Sequence, residues 1–177
     1  QYRLGGVVTH ARRAHLVHAA PHDHRAGMSL DEERGIVYIP TGSPAFDFYG
    51  GNRKGQNLYG NCLLALEAET GKLVWHYQLV HHDLWDYDPT AAPQLITVRR
   101  NDRTIDAVAQ ATKHGFLFVF DRVTGKPLYG MEDRPVPQTV VPGEKTAAAG
   151  HANSWGDGGW SCSDGGPGAR SRTMHRA

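Results

Sequence analysis

Nothing in this chain restricts its fold as tightly as a short pattern that occurs twice. Leu63-Leu64-Ala65-Leu66-Glu67-Ala68-Glu69-Thr70-Gly71-Lys72-Leu73-Val74-Trp75 has a partner in Phe116-Leu117-Phe118-Val119-Phe120-Asp121-Arg122-Val123-Thr124-Gly125-Lys126-Pro127-Leu128-Tyr129. In each, an apolar strand runs into an acidic residue. A Thr-Gly-Lys turn follows, whose glycine is free to take positive φ, and then a strand ending in an aromatic side chain. Each unit reads as a β-hairpin. The turns at 70–72 and 124–126 are separated by about the length of a four-stranded propeller blade, and a hairpin with one apolar face needs a neighbour to stack on. Repetition favours a propeller over the alternative, an ordinary β-sandwich containing two similar hairpins.

Three zones surround and contain this repeat. Residues 1–26 carry five histidines and four arginines with no period of two or 3.6, and are expected to be irregular. Residues 27–146 show short β-rich runs, such as Ile36 to Ile39 and Phe116 to Phe120, parted by Gly, Pro, Asn and Asp clusters. Residues 147–177 are rich in Gly, Ser, Ala and Arg and nearly empty of aliphatic side chains. Such a segment cannot bury enough surface to offset its ordering entropy and is expected to be disordered. Strands are predicted at Ile36 to Ile39, Leu63 to Leu66, Val74 to Gln78, Ala107 to Gln110 and Phe116 to Phe120, with Thr70-Gly71 and Thr124-Gly125 at turns.

Composition excludes some functions. Nineteen Lys and Arg against eighteen Asp and Glu leave a formal charge of +1, which gives no electrostatic basis for binding nucleic acid or an anionic membrane. Cys62 and Cys162 lie in unlike contexts and do not make a disulfide framework. No unbroken apolar run is longer than Phe116 to Phe120, far short of the roughly 20 residues that span a bilayer. The chain opens at Gln1 with no charged start before an apolar stretch, so it is expected to be an internal fragment of a longer protein.

The densest polar cluster in the β-rich zone is His81-His82-Asp83-Leu84-Trp85-Asp86-Tyr87-Asp88. Three carboxylates and two imidazoles among aromatics are costly to hold together unless solvated or paired. In one reading Asp83 and Asp88 satisfy turn backbone and the histidines face solvent. In the other at least one carboxylate is a base or a ligand of a hard cation such as Ca²⁺. Composition leaves both open.

The order and spacing of several segments add a resemblance. Gly27-Met28-Ser29-Leu30-Asp31-Glu32-Glu33-Arg34-Gly35, Pro40-Thr41-Gly42-Ser43-Pro44, Asp47-Phe48-Tyr49-Gly50-Gly51-Asn52-Arg53, His81 to Asp88, Thr112-Lys113-His114-Gly115 and Arg134-Pro135-Val136-Pro137-Gln138 together resemble the pyrroloquinoline-quinone (PQQ) dependent dehydrogenases. The similarity is greatest to the membrane-bound glucose dehydrogenase branch. The resemblance implies an eight-bladed propeller of four-stranded sheets holding PQQ and a divalent cation, Ca²⁺ or Mg²⁺, of which this chain supplies about two blades. It implies Asp86 as the catalytic base and a metal contact, Lys113 as the basic residue facing the ortho-quinone oxygens, and Ser43 as a metal or cofactor contact. The substrate it implies is an aldose or alcohol oxidised by hydride transfer. The electron acceptor would be ubiquinone or a cytochrome, and the location the periplasm, attached to the inner membrane through segments outside this chain.

The sequence also departs from the family. Where relatives carry an Asn-Ser-Trp step whose indole stacks on PQQ, this chain reads Asp23-His24-Arg25-Ala26, and the cofactor would lose that apolar surface. Cys62 has no cysteine neighbour, unlike methanol-type relatives. Residues 1–26 and 147–177 are expected to be lost reading frame or foreign sequence. Two further functions compete: a non-catalytic propeller module that binds a protein partner, and a metal-binding segment built from His10, His15, His18, His22 and His24, whose spacings match no zinc pattern.

Overall fold

The computed structural model describes residues 3–4, 7–8, 26–46 and 49–153; expectations for residues 154–177 and for most of 1–25 fall outside them. Short strands β1 (Arg3–Leu4) and β2 (Val7–Val8) pair antiparallel. A four-stranded sheet follows, in the order β3 (Ser29–Asp31), β4 (Ile36–Pro40), β5 (Cys62–Glu67), β6 (Leu73–Gln78). A second sheet holds β7 (Gln94–Arg100), β8 (Arg103–Ala111) and β9 (Leu117–Asp121). Strands β10 (Met131–Pro135) and β11 (Ala149–Asn153) form a separate antiparallel pair. Every pairing is antiparallel between sequence neighbours, and the described residues contain no helix, hence none long and apolar enough to cross a membrane.

All five predicted strands are present, and both Thr-Gly-Lys segments are turns of one design. Gly71 N–H donates to the Glu67 carbonyl at 2.8 Å, and Gly125 N–H to the Asp121 carbonyl at 3.0 Å. Their φ values of 71° and 69° are left-handed, as glycine permits. The two units differ downstream. After the first turn β6 forms in full. After the second, the expected strand is reduced to a bridge between Phe120 and Pro127 and one bond from Leu128 N–H to the Val119 carbonyl, 2.9 Å. Pro127 has no N–H to give to a ladder, so the second sheet has three strands instead of four. The boundary expected at 146 is followed within a few residues by β11, which pairs with β10 from Ala149 to Asn153. Strands β7 and β8 are joined by Asn101-Asp102, with φ of 50° and 57°, the two-residue turn whose twist suits a tight hairpin.

Alternation along the strands builds the core. Ile36 and Tyr38 of β4, Leu63 and Ala65 of β5 and Trp75 of β6 face Val108 of β8 and Phe118 and Phe120 of β9 in one cluster. The intervening residues form further apolar clusters, Val37, Cys62, Leu64 and Leu66 on the first sheet and Ala107, Ala109 and Val119 on the second. Sheets with apolar side chains on both faces are what a stacked repeat requires. Cys62 lies fully buried among these side chains, and burial pushes its thiol up to about 12, so it is chemically quiet.

Arg122 locks the two sheets together. Its carbonyl accepts bonds from Tyr38 Oη, 2.9 Å, and Trp75 Nε1, 3.0 Å. Its guanidinium reaches Asp31 of β3 at 3.1 Å and donates to the Ala107 and Ile96 carbonyls of its own sheet, both at 3.1 Å. Arg34 adds a bridge from Asp31, 3.1 Å, to Asp106 of β8, 2.6 Å.

Candidate active site

The polar cluster occupies the loop after β6. Asp83 shapes it. Its side chain is buried, and Oδ2 accepts bonds from Ser43 Oγ at 2.7 Å, Asn61 Nδ2 at 2.9 Å and the Tyr87 N–H at 2.7 Å, while Oδ1 accepts the Trp85 N–H at 2.8 Å. Four donors satisfy a buried carboxylate and fold the following residues around it. Arg53 Nη2 ties the same loop to the glycine-rich segment before β5 through the Asp83 carbonyl, 2.6 Å. The histidines serve the loop as well: His81 Nδ1 lies 2.9 Å from Gln78 Oε1, and His82 Nδ1 lies 2.6 Å from the Gly55 carbonyl. Of the two readings of this cluster, the turn reading describes Asp83, but His82 is buried instead of facing solvent.

Asp86 stands at the crest of the loop with φ of 57°. Lys113, in the Thr112–Phe116 turn that joins β8 to β9, places Nζ 2.6 Å from Asp86 Oδ2. That turn is closed by Thr112 N–H to the Phe116 carbonyl, 3.0 Å, and by Gly115 at φ of 84°. The two side chains keep 39% and 42% exposure, so the pair stays open to an incoming molecule. Its hydrogen bond with Asp86 raises the Lys113 ammonium above its usual value and keeps it charged.

Asp88 joins the pair to Ser43. The Ser43 N–H donates to Asp88 Oδ1 at 2.5 Å. Burial, together with the neighbouring Asp86 carboxylate, pushes the Asp88 carboxyl up despite that bond. Two carboxylates held close in this way suit a hard cation, which would relieve their repulsion. Ser43 itself is buried, with its hydroxyl donating to Asp83 and accepting from Asn61 Nδ2 at 3.2 Å. The three residues singled out from sequence thus share one network, Lys113 to Asp86 directly and Ser43 through Asp88.

Two residues of this network were not singled out from sequence. Asp88 belonged to the polar cluster whose two readings stayed open, and its approach to Ser43 spans a separation that no local pattern encodes. Asn61 is fully buried, and its Oδ1 has no hydrogen bond among the described residues. Trp85 and Tyr87 stack at 5.8 Å and 29° beside Asp86, forming an aromatic wall.

Comparison with known proteins gives this geometry a context. Residues 18–152 match the family described as PQQ: Glucose/ethanol/alcohol dehydrogenase, beta-propeller domain, a match that begins before the expected boundary at 27. Quinoprotein glucose dehydrogenase A of Acinetobacter calcoaceticus is 42% identical over 133 residues, covering 74% of this chain and 16% of its own length. Quinate/shikimate dehydrogenase (quinone) of Acinetobacter baylyi is 43% identical over 122 residues, 68% of this chain and 15% of that one. The crystal structure of quinohemoprotein alcohol dehydrogenase from Comamonas testosteroni superposes with a TM-score of 0.56 at 31% identity, covering 71% of this chain and 19% of that one. The chain therefore spans about a sixth of the length of the curated relatives it matches. With the matched segment reaching across both sheets and the polar loop, this chain belongs to the β-propeller family of PQQ-dependent glucose, ethanol and alcohol dehydrogenases.

Proposed function

We propose that this chain forms part of the cofactor-facing end of a dehydrogenase that oxidises an aldose or alcohol, with Asp86 as the general base. The observation that carries the reading is the exposed Asp86–Lys113 pair at 2.6 Å, assembled from two loops at the same end of adjacent sheets. A propeller that served only to dock a protein would have no need of it.

The residues present fit the group that the family implies. Lys113 offers a charged donor suited to quinone oxygens, and fixed positive charge there stabilises negative charge as it develops. Asp86 and Asp88 offer carboxylate oxygens to a Ca²⁺ or Mg²⁺ ion, which needs about six or more oxygens in all; among the described residues no group of three acidic, histidine or cysteine side chains surrounds such a site. Ser43 contributes by holding Asp88 through its N–H, since its hydroxyl is engaged by Asp83. PQQ supplies a hydride acceptor when bound.

Within the chain each half of the pair restrains the other. An ammonium on its oxygen makes Asp86 a poor proton acceptor, so the base is released when Lys113 turns to another electron-rich oxygen. Asp86 then takes the proton of a substrate hydroxyl as hydride leaves the same carbon. The Trp85–Tyr87 stack presents an apolar flank on either side of that residue in sequence. Electrons pass on to ubiquinone or a cytochrome, and the protein works in the periplasm at the inner membrane.

The test is kinetic. In a protein completed with the remaining blades, Asp86→Asn should retain PQQ, because the amide keeps an oxygen in place. Stopped-flow reduction of bound PQQ by glucose should fall by about 10² to 10⁴, the usual contribution of general-base catalysis. Near-normal reduction in that variant overturns the assignment of the base.

A further inference from the structure

The Asp86–Lys113 contact is made by two exposed side chains from separate loops. Exposed ion pairs gain little from charge and cost side-chain freedom, so the 2.6 Å approach depends on how the backbone roots of the two loops are held.

Each loop is secured within itself. Asp83 takes the Trp85 and Tyr87 N–H groups on either side of Asp86, and the Thr112–Phe116 turn closes on its own backbone. Neither arrangement sets the distance between the loops. At their crest the Tyr87 and His114 rings meet at 5.3 Å, one residue beyond each member of the pair. At their root the crossing is made by Gln110.

Gln110 lies near the end of β8 and is fully buried. The backbone ladder between β7 and β8 ends where Gln94 pairs with Ala109, and the polar loop parts from the sheet there. Beyond that point the Gln110 amide continues the connection. Its Nε2 donates to the Ala91 carbonyl at 2.9 Å and to the Ala111 carbonyl at 2.7 Å. Ala91 follows Asp88 by three residues, and Ala111 precedes Lys113 by two. Both hydrogens of one amide thus join the root of the Asp86 loop to the root of the Lys113 turn.

This connection has a cost that marks it. Gln110 Oε1 is buried with no hydrogen bond among the described residues. The opposite amide orientation would set that oxygen against two carbonyls, so the donors fix which way the group lies. Native structures seldom leave a buried acceptor unsatisfied, and the arrangement is unfavourable. A side chain serving only to fill this slot would be better apolar.

We propose that Gln110 is a positioning residue for the Asp86–Lys113 pair, its amide clipping the loop that carries Asp86 to the end of β8 and so fixing the reach from Lys113 Nζ to the carboxylate. The catalytic consequence rests on the reading of Asp86 as the base; the effect on the pair rests on geometry alone. A base displaced by about 1 Å from its productive position can lose about 10² in rate.

Two measurements keep the inference separate from that reading. The first needs no turnover and uses the full 177-residue chain. The Lys113 ammonium signal in a proton–nitrogen correlation spectrum reports its pairing, with Asp86→Asn as the unpaired reference. Gln110→Met, similar in length and without a donor, should move that signal most of the way to the reference while the amide spectrum stays that of a folded β protein. In Gln110→Glu burial keeps the carboxyl neutral, and it offers one O–H where the amide offers two N–H. Its signal should fall between wild type and Gln110→Met, and it decides if the methionine variant does not fold. The second measurement uses the protein completed with the remaining blades and loaded with PQQ. Stopped-flow reduction by glucose should fall about tenfold to 10²-fold in Gln110→Met. Adding Gln110→Met to Asp86→Asn should cost nothing more, because a residue that acts through another contributes nothing once that one is gone. A residue needed only for packing would slow both backgrounds alike. A wild-type ammonium signal in the folded Gln110 variants, or an equal loss of rate with and without Asp86, overturns the inference. Normal reduction in Asp86→Asn alone overturns the assignment of the base instead, and the ammonium signal then judges Gln110 by itself.

Discussion

The indole Nε1 of Trp75, on the last strand of the first sheet, donates to the backbone carbonyl of Arg122 in the second sheet at 3.0 Å. The same arginine returns a guanidinium to Asp31 on the far strand of the first sheet. One residue is thus gripped by both edges of its neighbour, and the predictions about stability begin there.

Arg122→Met should loosen the contact between sheets. It leaves the carboxylate of Asp31, only 3% exposed, with Arg34 as its remaining ion-pair partner. Removing one member of a buried pair typically costs about 3–5 kcal/mol; the retained Arg34 should bring the loss to about 3 kcal/mol. Urea unfolding followed by tryptophan fluorescence measures it, and a loss below about 1 kcal/mol would show that the lock carries little weight.

Asp31 makes that lock sensitive to acid. Burial alone would raise its carboxyl, but the bonds from Arg122 and Arg34 outweigh burial and bring it below its ordinary value of 3.8. A carboxyl depressed in the folded state contributes stability above its unfolded value and loses it as pH falls through the folded one. Asp31→Asn should therefore lower the unfolding midpoint at pH 6 to 7, and its deficit against wild type should shrink once pH drops below about 4. A deficit that does not change with pH would mean that packing, not charge, is responsible.

The paired turns allow a controlled comparison. Gly71 and Gly125 have nearly the same φ, yet a Cβ at Gly71 meets nothing within 4 Å whereas one at Gly125 falls 2.6 Å from Cδ2 of Trp75. Gly71→Ala should cost only left-handed backbone strain, about 1–2 kcal/mol. Gly125→Ala should add a clash with a core indole of about 1–3 kcal/mol more. Thermal melts of the two variants should differ in that order, and equal losses would argue that the turn does not bear on Trp75.

Lys113 should act through cofactor affinity as well as rate. In a protein completed with the remaining blades, Lys113→Ala should weaken PQQ binding and slow its reduction together, because a charge aimed at the quinone is lost. Lys113→Arg should restore part of both. Unchanged PQQ affinity in the alanine variant, read by fluorescence titration, would place the lysine outside the cofactor site.

The strands were legible because short apolar runs bounded by turn residues and the repeated Thr-Gly-Lys turn are local and mutually consistent. Which face Val37 and Tyr38 each take was not legible, since the run from Ile36 to Ile39 is apolar throughout. Pro127 was visible too, but the hairpin pattern around it suggested a strand that its missing N–H prevents. The lock at Arg122 was not legible, since it depends on which edges the two sheets present to each other. Nor was the identity of the buried carboxylate: Asp83 and Asp88 both read as turn residues, and only the directions of the Trp85 and Tyr87 N–H groups make Asp83 the one that holds the loop. Asp86 and Lys113 were singled out through family resemblance, and the 2.6 Å contact between them is what the fold adds.

The left-handed backbone at Asp86 carries a consequence for which residues the position can accept. At φ of 57° the chain admits Gly, Asn or Asp with little penalty and resists most others. Among these three only aspartate can accept a proton, so the turn admits one acid and excludes its longer homologue. Glutamate, chemically the nearest substitute, is disfavoured by its own main chain before its reach is ever tested. Drift at this position therefore leads to asparagine or glycine, both inert as bases, and a lineage that loses the acid here has no ready route to a different one.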